Sequence, residues 1–186
     1  SIMRDYVIII PENAREWLQY CAGGINLVVN KTTGKNLDIL SDNEIVCKDG
    51  LNYVSIGNTV QFREANYNLD LDRLNGDGFY LKNDNDNLFI VGACDRATLY
   101  GVYELAERNG VKFLSSDYTY YPKLKEFKFS GYGCVKEVPD FKFRGVAFRA
   151  VFRKDADKVL YARRRNSHEL IKVEEKYGGQ ISFAHC

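Results

Sequence analysis

The sequence has few of the residues from which metal sites and disulfide frameworks are built. It contains only two histidines and five cysteines in 186 residues, and no two cysteines form a Cys-x-x-Cys pair. The cysteines are odd in number and widely separated, at positions 21, 47, 94, 134 and 186. This pattern favours free, buried thiols over a disulfide framework or a zinc site, and we expect neither a metal nor a cofactor.

An excess of charge of one sign is also missing. The chain has 26 lysines and arginines against 25 aspartates and glutamates, so its composition predicts no nucleic acid and no acidic membrane as a partner. No apolar run approaches the roughly 20 residues that a membrane-spanning helix needs. No signal peptide is visible, because the apolar stretch at residues 6–10 is too short. The residues alone therefore leave the compartment unknown.

Aromatic residues, by contrast, are abundant. The chain has 13 tyrosines and 11 phenylalanines but a single tryptophan. Aromatic side chains commonly fill cores and stabilise neighbouring strands, and tyrosine faces also suit contact with sugars. Both interpretations stay open at this point.

Apolar periodicity predicts two long helices. The first runs through "NAREWLQYCAGGINLVVNKTTG", with Asn13 as its N-cap and Gly34 at its C-terminal end. Two adjacent glycines within it, Gly23 and Gly24, predict a kink or a close packing contact. The second helix covers "CDRATLYGVYELAERNG", with Asp95 as its cap.

Strand patterns surround these helices. A β-branched run at residues 5–10 ends at Pro11, and "NLDILSDN", "LNYVSIGNT" and "VKFLSS" also read as strands. A hairpin is predicted in "DGFYLKNDNDNLFIVGA", and a short helix at residues 59–67. The order predicts an α+β fold, an α/β sandwich in which a mixed sheet carries two helices on one face.

Several of these stretches resemble one kind of module. The helix end "KTTGKNL" and the long stretch "DGFYLKNDNDNLFIVGACDRATLYGVYELAERNGVKFLSSDYTYYPK" are similar to the β-hexosaminidase domain-2-like accessory domain. That domain also precedes the α-glucuronidase barrel and the barrels of bacterial proteins in the domain of unknown function 4838 group. The resemblance covers most of residues 5–138. It implies a non-catalytic α/β domain at residues 1–138, packed against the barrel of an enzyme that degrades polysaccharides or glycans.

The stretch after Pro139 resembles the start of such a barrel. "VPDFKFRGVAF" looks like the opening strand of the barrel in family 20 glycoside hydrolases, which implies that Arg144 binds sugar hydroxyls. A guanidinium group suits that role because its planar fork of donors can grip vicinal hydroxyls or a uronate carboxylate. Arg149 stands near the place of the family's acidic residue, which suits an anionic sugar. His185, which ends the predicted strand "QISFAHC", is a further substrate-binding candidate.

No pair of carboxylates suited to glycoside cleavage stands out in the chain. Such a pair lies about 5–9.5 Å apart, whereas the acidic residues at positions 104, 107, 174 and 175 read as solvated helix faces. Residues 139–186 are predicted to form the first βαβ segment of a (β/α)8 barrel, which needs about 250 residues when complete. We therefore expect this chain alone to be inactive, and its parent protein to be a glycosidase.

Two functions consequently stay open at the level of sequence. In one, the chain is the N-terminal, non-catalytic part of a glycoside hydrolase that reaches carbohydrate through the parent barrel. In the other, it is a stand-alone carbohydrate-binding or protein-interaction module, with residues 139–186 folded back to cap the sheet. An incomplete barrel also predicts self-association through uncovered strand edges. The resemblance favours a periplasmic or extracellular location.

Overall fold

The structure, a computed structural model, describes residues 5–44, 51–74, 76–115 and 118–137. Its elements in chain order are β1 (Asp5–Ile10), α1 (Glu16–Thr33), β2 (Asp38–Ser41), β3 (Leu51–Ile56), α2 (Val60–Ala65), a 3-10 turn (Leu71–Arg73), β4 (Phe79–Asp84), β5 (Asn87–Gly92), α3 (Asp95–Arg108), β6 (Lys112–Phe113), β7 (Thr119–Tyr120) and β8 (Cys134–Glu137). The predicted βαβ segment at 139–186 lies outside the described residues.

Six strands form one mixed sheet in the order β2-β1-β3-β5-β4-β8. The strands β2, β1, β3 and β5 are parallel to one another, and β4 and β8 extend the sheet from β5 in antiparallel pairings. Parallel strands are buried on both faces, and β1 satisfies this requirement with the run Tyr6–Ile9, in which every residue is buried. The predicted mixed sheet is confirmed.

The two long helices pack against each other and on one face of this sheet. Leu18 of α1 contacts the sheet where β3 ends. A Cβ atom added to Gly57 would lie 2.8 Å from the Leu18 side chain. Gly101 of α3 lies equally close to the sheet, because an added Cβ would meet Ile90 at 2.7 Å. The prediction of an α+β sandwich with two helices on one face is therefore confirmed.

The start of α1 differs from the prediction. Pro11 opens a turn that is closed by the Ala14 amide donating to the Pro11 carbonyl (3.0 Å), and this turn takes up Asn13. The helix consequently begins at Glu16, and Arg15 occupies the N-cap position without a capping side chain. The predicted stop at Gly34 is confirmed, because Gly34 adopts a left-handed conformation (φ 79°) and its amide donates to the Asn30 carbonyl.

The cap of α3 also differs from the prediction. Cys94, in an extended conformation, is the N-cap residue, so Asp95 falls in the first helical turn. A threonine hydroxyl organises this junction instead, because Thr98 Oγ1 donates to the Cys94 carbonyl (3.2 Å) and accepts from the Gly92 amide (3.0 Å). The prediction of Asp95 as the N-cap was therefore wrong.

The second face of the sheet is covered by α2 and the chain that follows it. Phe89 of β5 is fully buried there. Rings of Tyr53, Phe62 and Tyr67 surround it at centroid distances of 5.8, 6.0 and 5.5 Å. Aromatic pairs in such tilted and edge-to-face arrangements add to the free energy of area burial. Much of the aromatic content therefore serves as core and strand filler.

The cysteines only partly follow the prediction of free thiols. Cys21 is free and buried, and Cys134 is free and exposed. Burial raises the pKa of the Cys21 thiol well above its ordinary value. Cys94, however, is disulfide-bonded. Wide spacing along the chain was a poor guide, because a disulfide requires only that two Cα atoms approach to about 4.4–6.8 Å in the fold.

Candidate functional site

The three predicted substrate-binding residues, Arg144, Arg149 and His185, all lie outside the described residues. Their roles stay predictions. Within residues 5–137, as far as the structure describes them, no cluster of three or more His, Cys, Asp or Glu side chains could hold a metal ion. None of the described helices is long and apolar enough to cross a membrane.

The carboxyl ends of the parallel strands are the first place to search for a site. Open α/β sheets bind ligands where neighbouring connections run in opposite directions. Here β1 connects through α1 to β2 on one side, while β3 lies on its other side. The change of direction therefore lies between the carboxyl ends of β1 and β3.

Asp42 lies beside these strand ends. Its side chain is buried and accepts two backbone hydrogen bonds, from the Glu12 amide to Oδ1 (3.0 Å) and from the Val60 amide to Oδ2 (2.9 Å). Its own amide donates to the Ile10 carbonyl (2.8 Å). Because both carboxylate oxygens accept from backbone amides, Asp42 joins the ends of β1 and β2 to the start of α2.

A second acidic side chain, that of Asp77, forms an ion pair with Arg96. Arg96 Nη2 in the first turn of α3 stands 2.8 Å from Asp77 Oδ1, just before β4, and both side chains are largely buried. A buried pair of this kind is costly to break, because removing one partner leaves a charge in a poorly solvated place. It joins the start of α3 to the start of β4.

The chain between β7 and β8 is irregular and is held by asparagine side chains. Asn83 Nδ2 donates to the Phe129 carbonyl (2.8 Å), and its Oδ1 accepts from the Tyr132 amide (2.7 Å). The Asn83 amide also donates to the Gly133 carbonyl (2.8 Å). We call residues 121–133 the crossover. Its end is thereby fixed beside the tip of the β4–β5 hairpin.

Asn109 fixes the middle of the crossover to the end of α3. Its Nδ2 donates to the Lys128 carbonyl (3.1 Å), and its Oδ1 accepts from the Lys128 amide (2.8 Å). The Tyr132 hydroxyl donates to the same carbonyl (2.7 Å). Burial raises the pKa of the Tyr132 hydroxyl above its ordinary value.

The short strands β6 and β7 form a separate two-stranded ribbon after α3. Lys112 pairs with Tyr120 and Phe113 with Thr119, and the Leu114 amide donates to the Tyr118 carbonyl (3.1 Å). The sequence predicted only the first of these strands.

Strand alternation gives this ribbon two different faces. Phe113 turns inward and stacks on Tyr103 of α3, with ring centroids 4.7 Å apart. Leu114, Tyr118 and Tyr120 stand on the opposite face and are 63%, 57% and 46% exposed. We call these three side chains the ribbon face. Among the described residues they are the large hydrophobic side chains that remain exposed, which makes this face a candidate for an interaction.

Comparison with known proteins identifies the family. The family described as "Glycosyl hydrolase family 67 N-terminus" matches residues 8–105, which is more than half of the chain. The chain belongs to this family. The predicted resemblance to the α-glucuronidase N-terminal accessory domain is confirmed, and the family 67 N-terminal domain is related to glycan-degrading hydrolases.

One of the solved structures that resemble the chain shows the same fold. A family GH115 4-O-methyl-α-glucuronidase, BtGH115A, described as specific for decorated arabinogalactans, has a TM-score of 0.55 at 14% identity over 74% of this chain. A mutant β-hexosaminidase of Streptomyces plicatus in complex with its product GlcNAc has a TM-score of 0.42 at 12% identity over 76% of this chain. The chain spans only 18% and 23% of these two proteins. No curated protein sequence matches the chain.

Sequence reasoning missed Asp42, Asn83 and Asn109. Asp42 fell at the end of a predicted strand, Asn83 in a predicted hairpin turn and Asn109 at a predicted helix end, where asparagine and aspartate are common for purely local reasons. Their long-range partners lie 18–49 positions away along the chain. The ribbon face could have been predicted from one sequence pattern, the alternation of Tyr118 and Tyr120 in "DYTYYPK".

Proposed function

We propose that the family 67 N-terminal domain described here is the non-catalytic accessory domain of a glycoside hydrolase that degrades polysaccharides or glycans. In this proposal residues 139–186 form the first βαβ segment of the catalytic barrel. The family assignment supports the enzyme context, and the likeness in fold to an α-glucuronidase supports the architecture.

The main support for a non-catalytic role comes from how the acidic side chains are used. Asp42 holds two backbone amides, Asp77 holds Arg96, and Glu104 holds Arg108 at 3.2 Å. A glycosidase instead needs one carboxylic acid and one carboxylate that face the substrate, about 5–9.5 Å apart. These three partly buried acids are thus engaged in structural bonds, which fits a supporting domain.

Substrate binding would then fall to the barrel. Arg144 would grip sugar hydroxyls, and Arg149 beside it would favour an anionic sugar such as a uronate, because a guanidinium pairs with a carboxylate through two parallel hydrogen bonds. His185 would contact the sugar from the end of the next strand. A periplasmic or extracellular location would suit an enzyme of this class.

The first test is the coding sequence beyond Cys186. We expect it to continue with further βα repeats and to supply a pair of acidic residues. A stop codon at that point in the native gene would overturn the proposal. For the 186-residue chain itself we expect no hydrolysis of a chromogenic α-glucuronide or β-hexosaminide, and turnover by this chain alone would contradict a non-catalytic role.

The second test uses the full-length gene product. We expect Arg144→Ala to raise KM or lower kcat/KM by about 100-fold, the effect of losing roughly 3 kcal/mol of charge-assisted hydrogen bonding. Arg63→Ala, at an exposed position on α2, is the matched control and should leave the kinetics unchanged. Equal kinetics for the two variants would remove Arg144 from the substrate site.

A second function has one observation in its favour. The ribbon face exposes two tyrosines two positions apart, as in surfaces that stack on sugars. A stand-alone carbohydrate-binding module would bind oligosaccharides through this face. A glycan array probed with the 186-residue chain and with Tyr118→Ala would detect it, and binding that the variant abolishes would favour this function over the first.

A further inference from the structure

Two asparagines in the sequence are followed by glycine, at Asn75-Gly76 and at Asn109-Gly110. Asparagine side chains are thermolabile, because the backbone nitrogen of the next residue can attack the side-chain carbonyl carbon. Glycine has no Cβ atom to hinder this attack, and its backbone reaches the necessary conformation easily. The chain therefore carries two dipeptides that are prone to deamidation in water.

The fold holds the attacking nitrogen of Gly110 in another bond. The Gly110 amide donates to the Glu107 carbonyl (2.9 Å), and the Val111 amide donates to the Ala106 carbonyl (3.1 Å). Gly110 has φ 89°, so these two bonds close the end of α3 through a left-handed glycine. The Gly110 nitrogen is thus bound to the helix and is not available to the Asn109 side chain.

The side chain of Asn109 is also fixed. It is buried, at 8% exposure, and its Oδ1 accepts from the Lys128 amide (2.8 Å). Its Nδ2 lies within hydrogen-bonding distance of three acceptors, which are the Leu105 carbonyl (3.0 Å), the Lys128 carbonyl (3.1 Å) and the Tyr132 hydroxyl (3.2 Å). While these bonds to α3 and to the crossover last, the amide group cannot rotate toward Gly110.

We propose that Asn109 is a latent deamidation site, which reacts only when the crossover separates from α3 and which then keeps the crossover detached. Folded chains open locally, and a reaction that requires opening proceeds at a rate set by the population of the open form. The proposal concerns only the bonds between α3 and residues 121–133. It is therefore independent of the proposed enzyme function.

The reaction at Asn109 balances without any reagent other than water. The Gly110 nitrogen forms a bond to Asn109 Cγ and loses its proton, while the Cγ–Nδ2 bond breaks and ammonia leaves with that proton. The product is a cyclic succinimide. Water then opens the ring at either of its carbonyl carbons. One opening gives aspartate, and the other gives isoaspartate, in which the backbone runs through the side-chain carboxyl group.

The product cannot restore the bonds that the amide made. A carboxylate has no N–H group, so in place of Nδ2 it would put a negative oxygen against the carbonyls of Leu105 and Lys128. Isoaspartate would also lengthen the backbone by one atom at the turn of Gly110. The crossover places Phe127 and Phe129 in the core, so its release would expose apolar surface. Deamidation therefore converts a reversible opening into a permanent one.

The first test follows both Asn-Gly dipeptides in the 186-residue chain. One sample is kept in native buffer and one in concentrated urea, both at mildly alkaline pH, until Asn75 in the urea sample is half converted. Peptide mass spectrometry measures deamidation at Asn109, and fragmentation distinguishes aspartate from isoaspartate. We expect Asn109 to react in urea at a rate similar to that of Asn75, and at least about 10-fold more slowly in the native chain.

Two results of this test would overturn the proposal. A native rate at Asn109 within about 10-fold of the urea rate would mean that the fold does not protect the side chain. Unreacted Asn109 in the urea sample, where Asn75 is half converted, would mean that Asn109 is not a deamidation site.

The second test weakens the tie at a single atom. Tyr132→Phe removes the hydroxyl that accepts from Asn109 Nδ2 and donates to the Lys128 carbonyl. Tyr118→Phe, on the exposed ribbon face, is the matched control, and thermal melts establish that both variants fold. In native buffer we expect Asn109 to deamidate at least about 3-fold faster in Tyr132→Phe than in the parent chain. The control should match the parent, and an unchanged rate in Tyr132→Phe would contradict control by the crossover.

A third measurement examines the product of the reaction. Asn109→Asp reproduces one product by mutation, and Asn75→Asp is a control with the same change of charge. We expect amide exchange at Lys128 to become at least about 10-fold faster in Asn109→Asp only. If exchange at Lys128 stayed at the parent rate in Asn109→Asp, the crossover would remain attached after deamidation, and the proposed permanent release would be wrong.

Discussion

The helix–sheet core and the crossover are held by different physics. In the core, the faces of β1, β3, β4 and β5 meet α1 and α3 through side chains that are almost entirely apolar and buried. The crossover places Phe127 and Phe129 in that core, but its backbone is held by Asn83 and Asn109. Area burial therefore stabilises the first region, and side-chain hydrogen bonds to the backbone define the second.

This difference decides how each region tolerates change. Apolar packing is spread over many contacts, so a truncated side chain leaves a cavity but not a charged or polar group without partners. A polar tie is concentrated in one side chain, and its removal leaves several buried backbone groups unsatisfied at once. Substitutions in the two regions should differ in the loss of stability that they cause. They should also differ in how far through the structure their effects spread.

The largest effect is expected in the core. Phe79 of β4 is 2% exposed and lies against Gly101 of α3, so Phe79→Ala should lower the free energy of unfolding by about 3–5 kcal/mol. Tyr120→Ala on the exposed ribbon is the matched aromatic control, with an expected change within about 0.5 kcal/mol. Urea denaturation of the 186-residue chain measures both. Similar losses for the two variants would mean that the core is not packed as described.

A smaller but more localised effect is expected at the crossover. Asn109→Ala removes the donor and the acceptor that hold Lys128, and should cost about 1–3 kcal/mol. Asn36→Ala is the control, because Asn36 accepts a single exposed side-chain bond from Asn30 at 3.2 Å. Amide exchange at Lys128 should accelerate in the first variant only. An unfolding transition that shifts without faster exchange at Lys128 would contradict a local tie.

The same contrast explains what the sequence could predict. The run of residues 5–10, the hairpin of β4 and β5 and the stop of α1 at Gly34 all follow from local patterns, because strand alternation, turn residues and left-handed glycine act over a few positions. The wrong caps at Asn13 and Asp95 show how weak such signals become at helix starts, where a neighbouring proline turn or threonine hydroxyl can displace them.

The crossover and the ribbon were harder to predict, for a different reason. Residues 121–133 have no regular backbone for apolar periodicity to report on, and the bonds that hold them come from Asn83 and Asn109, far away in sequence. The ribbon has strands of two residues each, too short for a periodic signal. The sheet was predictable because its information is local, whereas the candidate interaction surface depends on contacts that only the fold creates.

Gly34 offers a case in which neither packing nor side-chain bonding contributes. A Cβ atom added there would meet no atom within 4 Å, yet the backbone has φ 79°. Gly34→Ala should therefore destabilise the chain by about 1 kcal/mol through backbone strain alone. Urea denaturation measures the change, and Lys35→Ala, at the exposed neighbouring position, should be neutral. A neutral Gly34→Ala would show that the end of α1 relaxes to another conformation.

The smallest effect is expected at Asp95, at the margin of the apolar core. Burial raises the pKa of its carboxyl group, and the positive charge of Arg15 partly opposes this rise. A carboxyl whose pKa is higher in the folded state contributes stability below its unfolded pKa of about 3.9, and that contribution is lost as the pH rises through the folded value.

Asp95→Asn should therefore match the parent chain near pH 3. At pH 7 it should be more stable, by less than about 1 kcal/mol after solvent screening. Urea denaturation at the two pH values measures the difference, with Asp38→Asn on the exposed rim of β2 as the control. A variant that is less stable than the parent at pH 7 would show that attraction to Arg15 outweighs burial.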